Sequence, residues 1–290
     1  MEKDCQGAPF SKFINRLRVH CLCKTQRSLA TSHSSPLQNY DQDSPTWTVR
    51  GSGSTEMSQV RLILERQWLH GVLLVALLAA LALASGLELM HAGILWGIST
   101  PEWFCLAVTL AIVHQVYVWF CWRTQLHGSW LTRVFGNQGF PAYAVGFSIL
   151  GISRVLAVFV LATSNRDTLP IDLTALRILA IIALIPAVYL FYSVKRYFSF
   201  SRAFGIDHFD EAYRSLPFVR KGIFRFTRNG MYTYGFFILW VPALWYASVA
   251  ALCVALFNHI YIWVHYYSTE LPDMKHIYGE ARATARDGSD

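Results

Sequence analysis

Apolar residues in this chain come in long unbroken blocks, not in the alternation of a half-buried strand. From Gly71 to Leu87 there is no charge and almost no polar atom. At 1.5 Å rise per residue, about 20 such residues cross a hydrocarbon layer about 30 Å thick, and the block predicts a spanning helix over about residues 68–89. Further blocks predict helices at about 103–122, 141–163 and 172–194, with Pro186 expected to kink the last of these. The final block, about 231–267, is too long for one crossing and fits two close-packed helices turning near Trp245 to Ser248, a shorter re-entrant hairpin being the alternative. The expected fold is all-α: a polytopic transmembrane helical bundle of five to six spanning helices with a C-terminal helical hairpin.

The flanks differ in kind. Residues 1–67 mix Ser, Gln, Pro, Gly and basic residues without apolar periodicity, which predicts a disordered or loosely ordered extension. No apolar run of signal-peptide length opens the chain, and Met57 begins Met-Ser-Gln-Val just ahead of the first span, so the residues before it read as a dispensable extension or a misplaced start. Residues 68–194 form a four-helix membrane scaffold in this reading. Residues 195–279 form a polar loop, the hairpin and a polar exit, and 280–290 a disordered tail.

Composition agrees with the bilayer as solvent: 54% hydrophobic and 15% charged, against about 25% charged in soluble domains. The net charge of +7 does not point to nucleic acid, because Lys and Arg collect in particular loops and form no basic face with interleaved aromatics. Instead it sets orientation. Arg61 and Arg66 precede the first span, the 90–102 loop has no Lys or Arg, 123–140 has Arg123 and Arg133, 164–171 has Arg166, and 195–228 has eight basic residues. The basic loops belong in the cytoplasm, so both termini and the 195–228 loop are expected there, each Lys or Arg near an anionic leaflet adding roughly 1 kcal/mol of attraction. The six cysteines show no paired spacing and are expected to be free thiols; Cys21-Leu-Cys23 has no second ligand pair, so no metal is expected.

Polar residues concentrate in the C-terminal third. Arg228-Asn229-Gly230-Met231-Tyr232 enters the hairpin, and Asn258, His259, His265 and Glu270 leave it. At 100° per residue, His259, Trp263, Tyr266 and Glu270 share one stripe, with Asn258, His265 and Thr269 on its flank and Leu256, Ile260 and Val264 opposite. Ionisable groups inside a bundle are costly and point to function. His114 in the second span reads as a hydrogen-bonded packing residue, and Arg154 in the third must snorkel, pair or line a cavity. His259 and His265 lie on different sides of the stripe with no facing pair, which argues against haem.

The segment Phe224-Arg-Phe-Thr-Arg-Asn-Gly-Met-Tyr232, the hairpin, and Glu270-Leu-Pro-Asp-Met-Lys-His-Ile-Tyr-Gly279 together resemble the phospholipid methyltransferase and isoprenylcysteine carboxyl methyltransferase superfamily over about residues 195–279. Its members are integral membrane enzymes that use S-adenosylmethionine, with an Arg-x-Pro-x-Tyr type motif before the hairpin and an acidic motif after it. Arg228 and Tyr232 match the first motif and Glu270 the second, while His265 falls where relatives often carry a basic residue. Gly230 replaces the usual Pro, Thr269 stands where many relatives have another Glu, and the tail lacks the Tyr- and Pro-containing ending of the carboxyl methyltransferases.

The resemblance implies a cofactor site made of Arg228, Asn229, Tyr232, His265, Tyr266 and Glu270. In it Arg228 would grip the cofactor carboxylate, Glu270 would pair its ammonium, and Tyr232, Tyr234, Trp263, Tyr266 and Tyr267 would offer ring faces to the sulfonium at about 0.5–2 kcal/mol each. Interfacial belting is the alternative for the tyrosines. An amine acceptor must lose a proton before attack; His208, His265 and Glu270 are the candidate bases, His265 first. The 204–209 segment either caps the site or binds the headgroup, or is an ordinary amphipathic loop. The expected acceptor is a lipid, first a phosphatidylethanolamine-type amine. A prenylcysteine carboxylate or small thiol is the alternative within the family, and a non-enzymatic transporter or redox subunit the alternative outside it, though the halves show no repeat. No nucleic-acid partner is expected, and the oligomeric state is left open.

Overall fold

A computed structural model describes residues 52–287, with side chains over 58–279. Residues 1–51, with Cys5 and the Cys21/Cys23 pair, and residues 288–290 lie outside the described residues. Helix α1 spans Ser52–Ile63 and α2 Gln67–Ala84, joined through Arg66 at φ 60°. A two-residue hairpin pairs Ile94–Leu95 with Ile98–Ser99 ahead of α3, Thr100–Gly128. Helix α3 starts sharply because Ser99 and Glu102 make a capping box and Pro101 sits in the first turn, where its missing N–H costs nothing. Helix α4 spans Trp130–Phe135, α5 Gly139–Ser164 and α6 Leu173–Ser193, the last capped by Asp172 on the Ala175 N–H at 2.8 Å. A π turn, Val194–Phe198, leads through α7, Phe200–Ala203, into an irregular segment. Then come α8, Gly230–Tyr234, α9, Phe237–Trp245, and α10, Val249–His265, and a second π turn, Tyr266–Glu270, precedes α11, Leu271–Asp287.

Among the described residues, five helical stretches are long and apolar enough to cross a membrane: Ser58–Ala84, Thr100–Gly128, Trp130–Ser164, Leu173–Phe198 and Val249–Gly279. The all-α multi-pass fold is therefore as the apolar blocks predict. The hairpin turns where the sequence places it, Ser248 capping α10 through the Ala251 N–H at 3.1 Å. Asn165 binds this turn to the far end of the bundle. Its Nδ2 donates to the carbonyls of Leu89 at 2.8 Å and Ala92 at 2.9 Å, while its Oδ1 accepts from Ser248 Oγ at 3.0 Å and the Ala250 N–H at 2.9 Å. The Asp167 and Leu169 N–H groups donate to Tyr246 and Ala247, both at 2.8 Å. The hairpin thus reaches the loops at the far ends of α5 and α6 and is a full hairpin, with α8 and α9 climbing and α10 returning.

Polarity is arranged for lipid. Ile178, Ile181, Ile182, Ile185 and Val188 of α6 are exposed, whereas the core between α3, α5, α9 and α10 is rich in small residues: Ala107, Ala111, Ala157, Ala162, Ala243, Ala250, Ala251 and Ala255. Small side chains let helix backbones approach closely, which is what drives association where lipid is as apolar as leucine. Three expectations need correction. Residues 52–63 are helical, not loosely ordered, and Met57 lies inside that helix. Helix α11 continues to Asp287, so most of the expected disordered tail is helical. Arg123 is not a loop charge: α3 runs past it, and its side chain is fully buried.

Candidate functional site

The site end of the bundle is built around the π turn at Tyr266–Glu270. One inserted residue rotates everything after it back by about 100° relative to a regular helix. Glu270 therefore leaves the stripe of Trp263 and Tyr266, where uniform periodicity puts it, and comes within electrostatic reach of Asp207, His208 and Asp273. The predicted stripe splits into two groups. Tyr232, Trp263, Tyr266 and Tyr267 form an aromatic cluster, Tyr232 lying 5.7 Å from Tyr266 and 6.0 Å from Trp263, ring centre to ring centre. His265, fully buried, points instead toward Trp122 at 5.9 Å and His70 at 6.5 Å.

A chain of buried charges ties the irregular 199–228 segment to this face. Arg123 Nε lies 2.5 Å from Asp273 Oδ1, and the same guanidinium donates to the carbonyls of Ser268 at 3.4 Å and Thr269 at 3.2 Å inside the π turn. Asp273 Oδ2 pairs with His208 Nε2 at 3.4 Å, an ion contact rather than an aligned hydrogen bond. His208 Nδ1 faces Asp207 Oδ1 at 3.2 Å, and Tyr278 donates its hydroxyl to Asp207 Oδ2 at 2.7 Å. Burial opposes charging His208, but the carboxylates of Asp207 and Asp273 outweigh it and raise the imidazole to about 9. For Asp207 burial pushes the carboxyl upward, and the bonds from His208 and Tyr278 overcome it, holding it below its usual range.

The His208 ring stacks on Trp122 at 4.3 Å, and the turn that brings it there depends on Gly205. Gly205 has φ +79°, and a Cβ on it would stand 2.5 Å from the Trp122 indole. A side chain there meets both left-handed strain and a ring edge. Gly205→Ala is expected to destabilise the protein by more than about 1 kcal/mol and to open the 199–228 segment to limited proteolysis. An unchanged digestion pattern and melting temperature would show that the indole yields.

Beneath this network lies a set of buried polar atoms with no partner among the described residues: Glu270 Oε2, Arg154 Nη2 and both ring nitrogens of His265 and of His114. Buried polar groups in folded proteins are almost always paired, so a cluster of orphans marks a place where something outside the chain supplies the partners. The expected hydrogen-bonding role of His114 is not what is found: its ring packs edge-on against Phe147 at 4.8 Å. His259 accepts from Trp240 Nε1 at 3.1 Å, within the hairpin, and His70 binds Tyr261 at 2.7 Å. The free thiols Cys105, Cys121 and Cys253 are unpaired.

Of the predicted site residues, then, His208, His265 and Glu270 gather with Trp122, Arg123 and Asp273, and Tyr232 and Tyr266 gather in the aromatic cluster. Arg228 is exposed and forms no ion pair with Glu270; Asn229 starts α8, its carbonyl accepting from the Tyr232 and Thr233 N–H groups at 3.0 Å. Sequence reasoning names Asp207 only within the 204–209 segment, Asp273 only within the segment after the hairpin and Arg123 only as an orienting loop charge, none of them as a site residue. Asp273 lies in the acidic motif one helical turn after Glu270, which is a readable signal; Arg123 ends an apolar run and looks like a loop charge.

A multi-pass helical membrane protein with buried carboxylates, histidines and unpaired polar atoms at one end of its bundle has the makings of an enzyme acting at a membrane surface. Residues 175–281 match the family model described as phospholipid methyltransferase, a match that supports placing this stretch in that superfamily. The match takes in α6, the 199–228 segment, the hairpin, His208, His265, Glu270 and Asp273. His70, His114, Trp122, Arg123, Tyr143 and Arg154 fall outside it, so half of the polar surroundings come from the preceding helices. No curated protein and no solved structure matches the chain.

Proposed function

We propose that the protein transfers a methyl group from S-adenosylmethionine to a lipid acceptor, first a phosphatidylethanolamine-type amine, at the basic end of the bundle, which is taken as cytoplasmic. The observation that carries this reading is the set of unpaired polar atoms on Glu270 and His265, inside the segment matched by a methyltransferase family. These residues fit the cofactor. Glu270, half-buried and without a hydrogen bond or ion pair among the described residues, suits the cofactor's ammonium; the separate cluster of Tyr232, Trp263 and Tyr266 has ring faces suited to a cation, and exposed Arg228 with neighbouring Asn229 is the expected grip on its carboxylate. When bound, the cofactor supplies an electrophilic methyl on sulfur, and transfer from it is an in-line displacement.

The chain's own contribution is orientation and exclusion of water. His208 stacked on Trp122 and locked between two aspartates closes the site from the 199–228 side. Because that pairing keeps His208 charged near neutral pH, its part is positioning and it is a poor proton acceptor. His265, with both ring nitrogens free, takes the proton from the acceptor amine.

The test is titration of the detergent-solubilised protein with S-adenosylmethionine and S-adenosylhomocysteine, followed by transfer of labelled methyl into total lipid. Saturable binding with label in lipid is expected; label in a thiol or prenylated peptide would move the acceptor, and no binding to a folded sample would end the reading. His265→Gln is expected to lower kcat about 10²–10⁴-fold, the usual worth of a positioned base. A loss confined to KM would assign His265 to binding alone.

A further inference from the structure

Arg154 stands apart from the other buried charges among the described residues. It lies in the middle of α5, 5% exposed, its Nε donating to Asn258 Oδ1 and its guanidinium resting over the Phe236 ring at 5.0 Å. Asn258 spends its own Nδ2 on the Val254 carbonyl at 2.7 Å, so it offers a dipole and no charge. The ion pairs among the described residues belong to Arg123, His208 and Arg214, and none reaches Arg154. A guanidinium does not give up its proton in a protein, and an uncompensated cation at this depth is strongly unfavourable. Its Nη2 has no partner at all among the described residues.

The surroundings are as unsatisfied as the charge. His114, 7% exposed, and His265 are both within electrostatic reach of Arg154, and all four of their ring nitrogens lack partners. Tyr261 is also near, but its hydroxyl is taken by His70. One turn before Arg154, Gly151 leaves the His114 ring edge uncovered: a Cβ at Gly151 would stand 3.5 Å from His114 Cε1. A cation and donors of this kind, with no carboxylate among them, lack one thing, a negative charge with acceptor oxygens.

We infer that Arg154 and His114 form a buried oxyanion site on the floor of the methyltransferase site, in which Arg154 Nη2 and a ring N–H of His114 take the oxygens of a carboxylate or phosphate carried by a bound small molecule. The inference rests on the methyltransferase reading only for which molecule brings the anion. A cofactor carboxylate and a lipid phosphate have the same chemistry here. If the first is correct, the carboxylate is held from below by Arg154 and not at the rim by Arg228.

Full-length protein in uncharged detergent, wild type, Arg154→Met and Arg154→Lys, is titrated with four probes. S-adenosylhomocysteine carries the carboxylate and 5′-methylthioadenosine lacks it; dioleoyl phosphatidate carries a phosphate and dioleoylglycerol lacks it. The expected result is a loss of tenfold or more for one anionic probe in Arg154→Met and a smaller loss in Arg154→Lys, which keeps the charge without the planar fork, with its neutral counterpart unchanged. Loss for S-adenosylhomocysteine assigns the anion to the cofactor, loss for phosphatidate to the lipid. Equal losses for anionic and neutral probes, no loss in either variant, or no binding of either anionic probe by wild type overturns the inference. Should Arg154→Met fail to fold, Arg154→Lys decides by the same criterion. Wild type that binds phosphatidate through Arg154 but neither adenosine compound keeps the oxyanion site and sinks the methyltransferase reading.

Discussion

Asp273→Asn is expected to destabilise the protein by about 3–5 kcal/mol, the usual result of removing one partner from a buried ion pair. Asp273 is 1% exposed and stands between two buried cations, Arg123 at 2.5 Å and His208 at 3.4 Å. An amide in its place leaves Arg123 facing only carbonyls and the distant Glu65 at 4.0 Å. Arg123→Met with Asp273→Leu removes both charges and should recover most of the loss, since a well-packed apolar pair often replaces a buried ion pair without cost. Thermal melting of the two variants in detergent decides: a double variant as unstable as the single one would mean that Arg123 is needed for the carbonyls of Ser268 and Thr269 and not for the pair. The pH dependence follows with opposite signs. His208 is raised from 6.5 to about 9, so its contribution is complete below pH 6.5 and is lost as pH rises through 9. Asp207 is held below 3.8, so its contribution is present above that value and is lost as pH falls through the lowered one. With one of its two carboxylates gone, His208 in Asp273→Asn should lose its proton at lower pH, and the alkaline limb of the stability curve should move toward neutrality.

The apolar blocks gave the helices and the turn at Tyr246–Ser248 because the bilayer leaves the chain little choice: a run without charges must be helical and about as long as the hydrocarbon is thick. The 231–267 block held two lengths of helix, and the polar cap Ser248 lay between them. The residues that gather at the site were partly legible for the same reason, since His265 and Glu270 are ionisable groups beside long apolar stretches. The grouping was not legible. Uniform 100° spacing put Glu270 on the face of Tyr266, and the π turn, which no residue type announces, moved it toward Asp207, His208 and Asp273. Arg123 was misplaced because an arginine at the end of an apolar run has the same sequence signature whether it snorkels to solvent or turns inward to Asp273. His208 and Asp207 come from a segment with no periodicity, held in place by Gly205 and by the Trp122 ring, a contact between residues more than 80 positions apart.

Glu270→Gln is expected to do the opposite of Asp273→Asn, although the two carboxylates are one turn apart on the same arm. Glu270 makes no hydrogen bond or ion pair among the described residues, and its Oε2 is buried without a partner. Replacing it by the isosteric amide breaks nothing inside the protein, so helical content and melting temperature of the unliganded protein should hold or rise. Affinity for S-adenosylhomocysteine should fall about 10- to 100-fold, the worth of a charge-assisted hydrogen bond of about 1.5–3 kcal/mol in a buried site. Arg228→Ala should cost less, up to about fivefold, because an exposed cation is screened by water and is worth at most about 1 kcal/mol. Isothermal titration of the two variants, beside a melting curve of each without ligand, reads both quantities. A Glu270→Gln protein that melts well below wild type would make the carboxylate structural, and one that binds the cofactor product at full affinity would move the ammonium elsewhere. Stable but unable to bind, it would show a carboxylate kept unpaired in the folded protein at some expense of stability, because its partner arrives with the ligand.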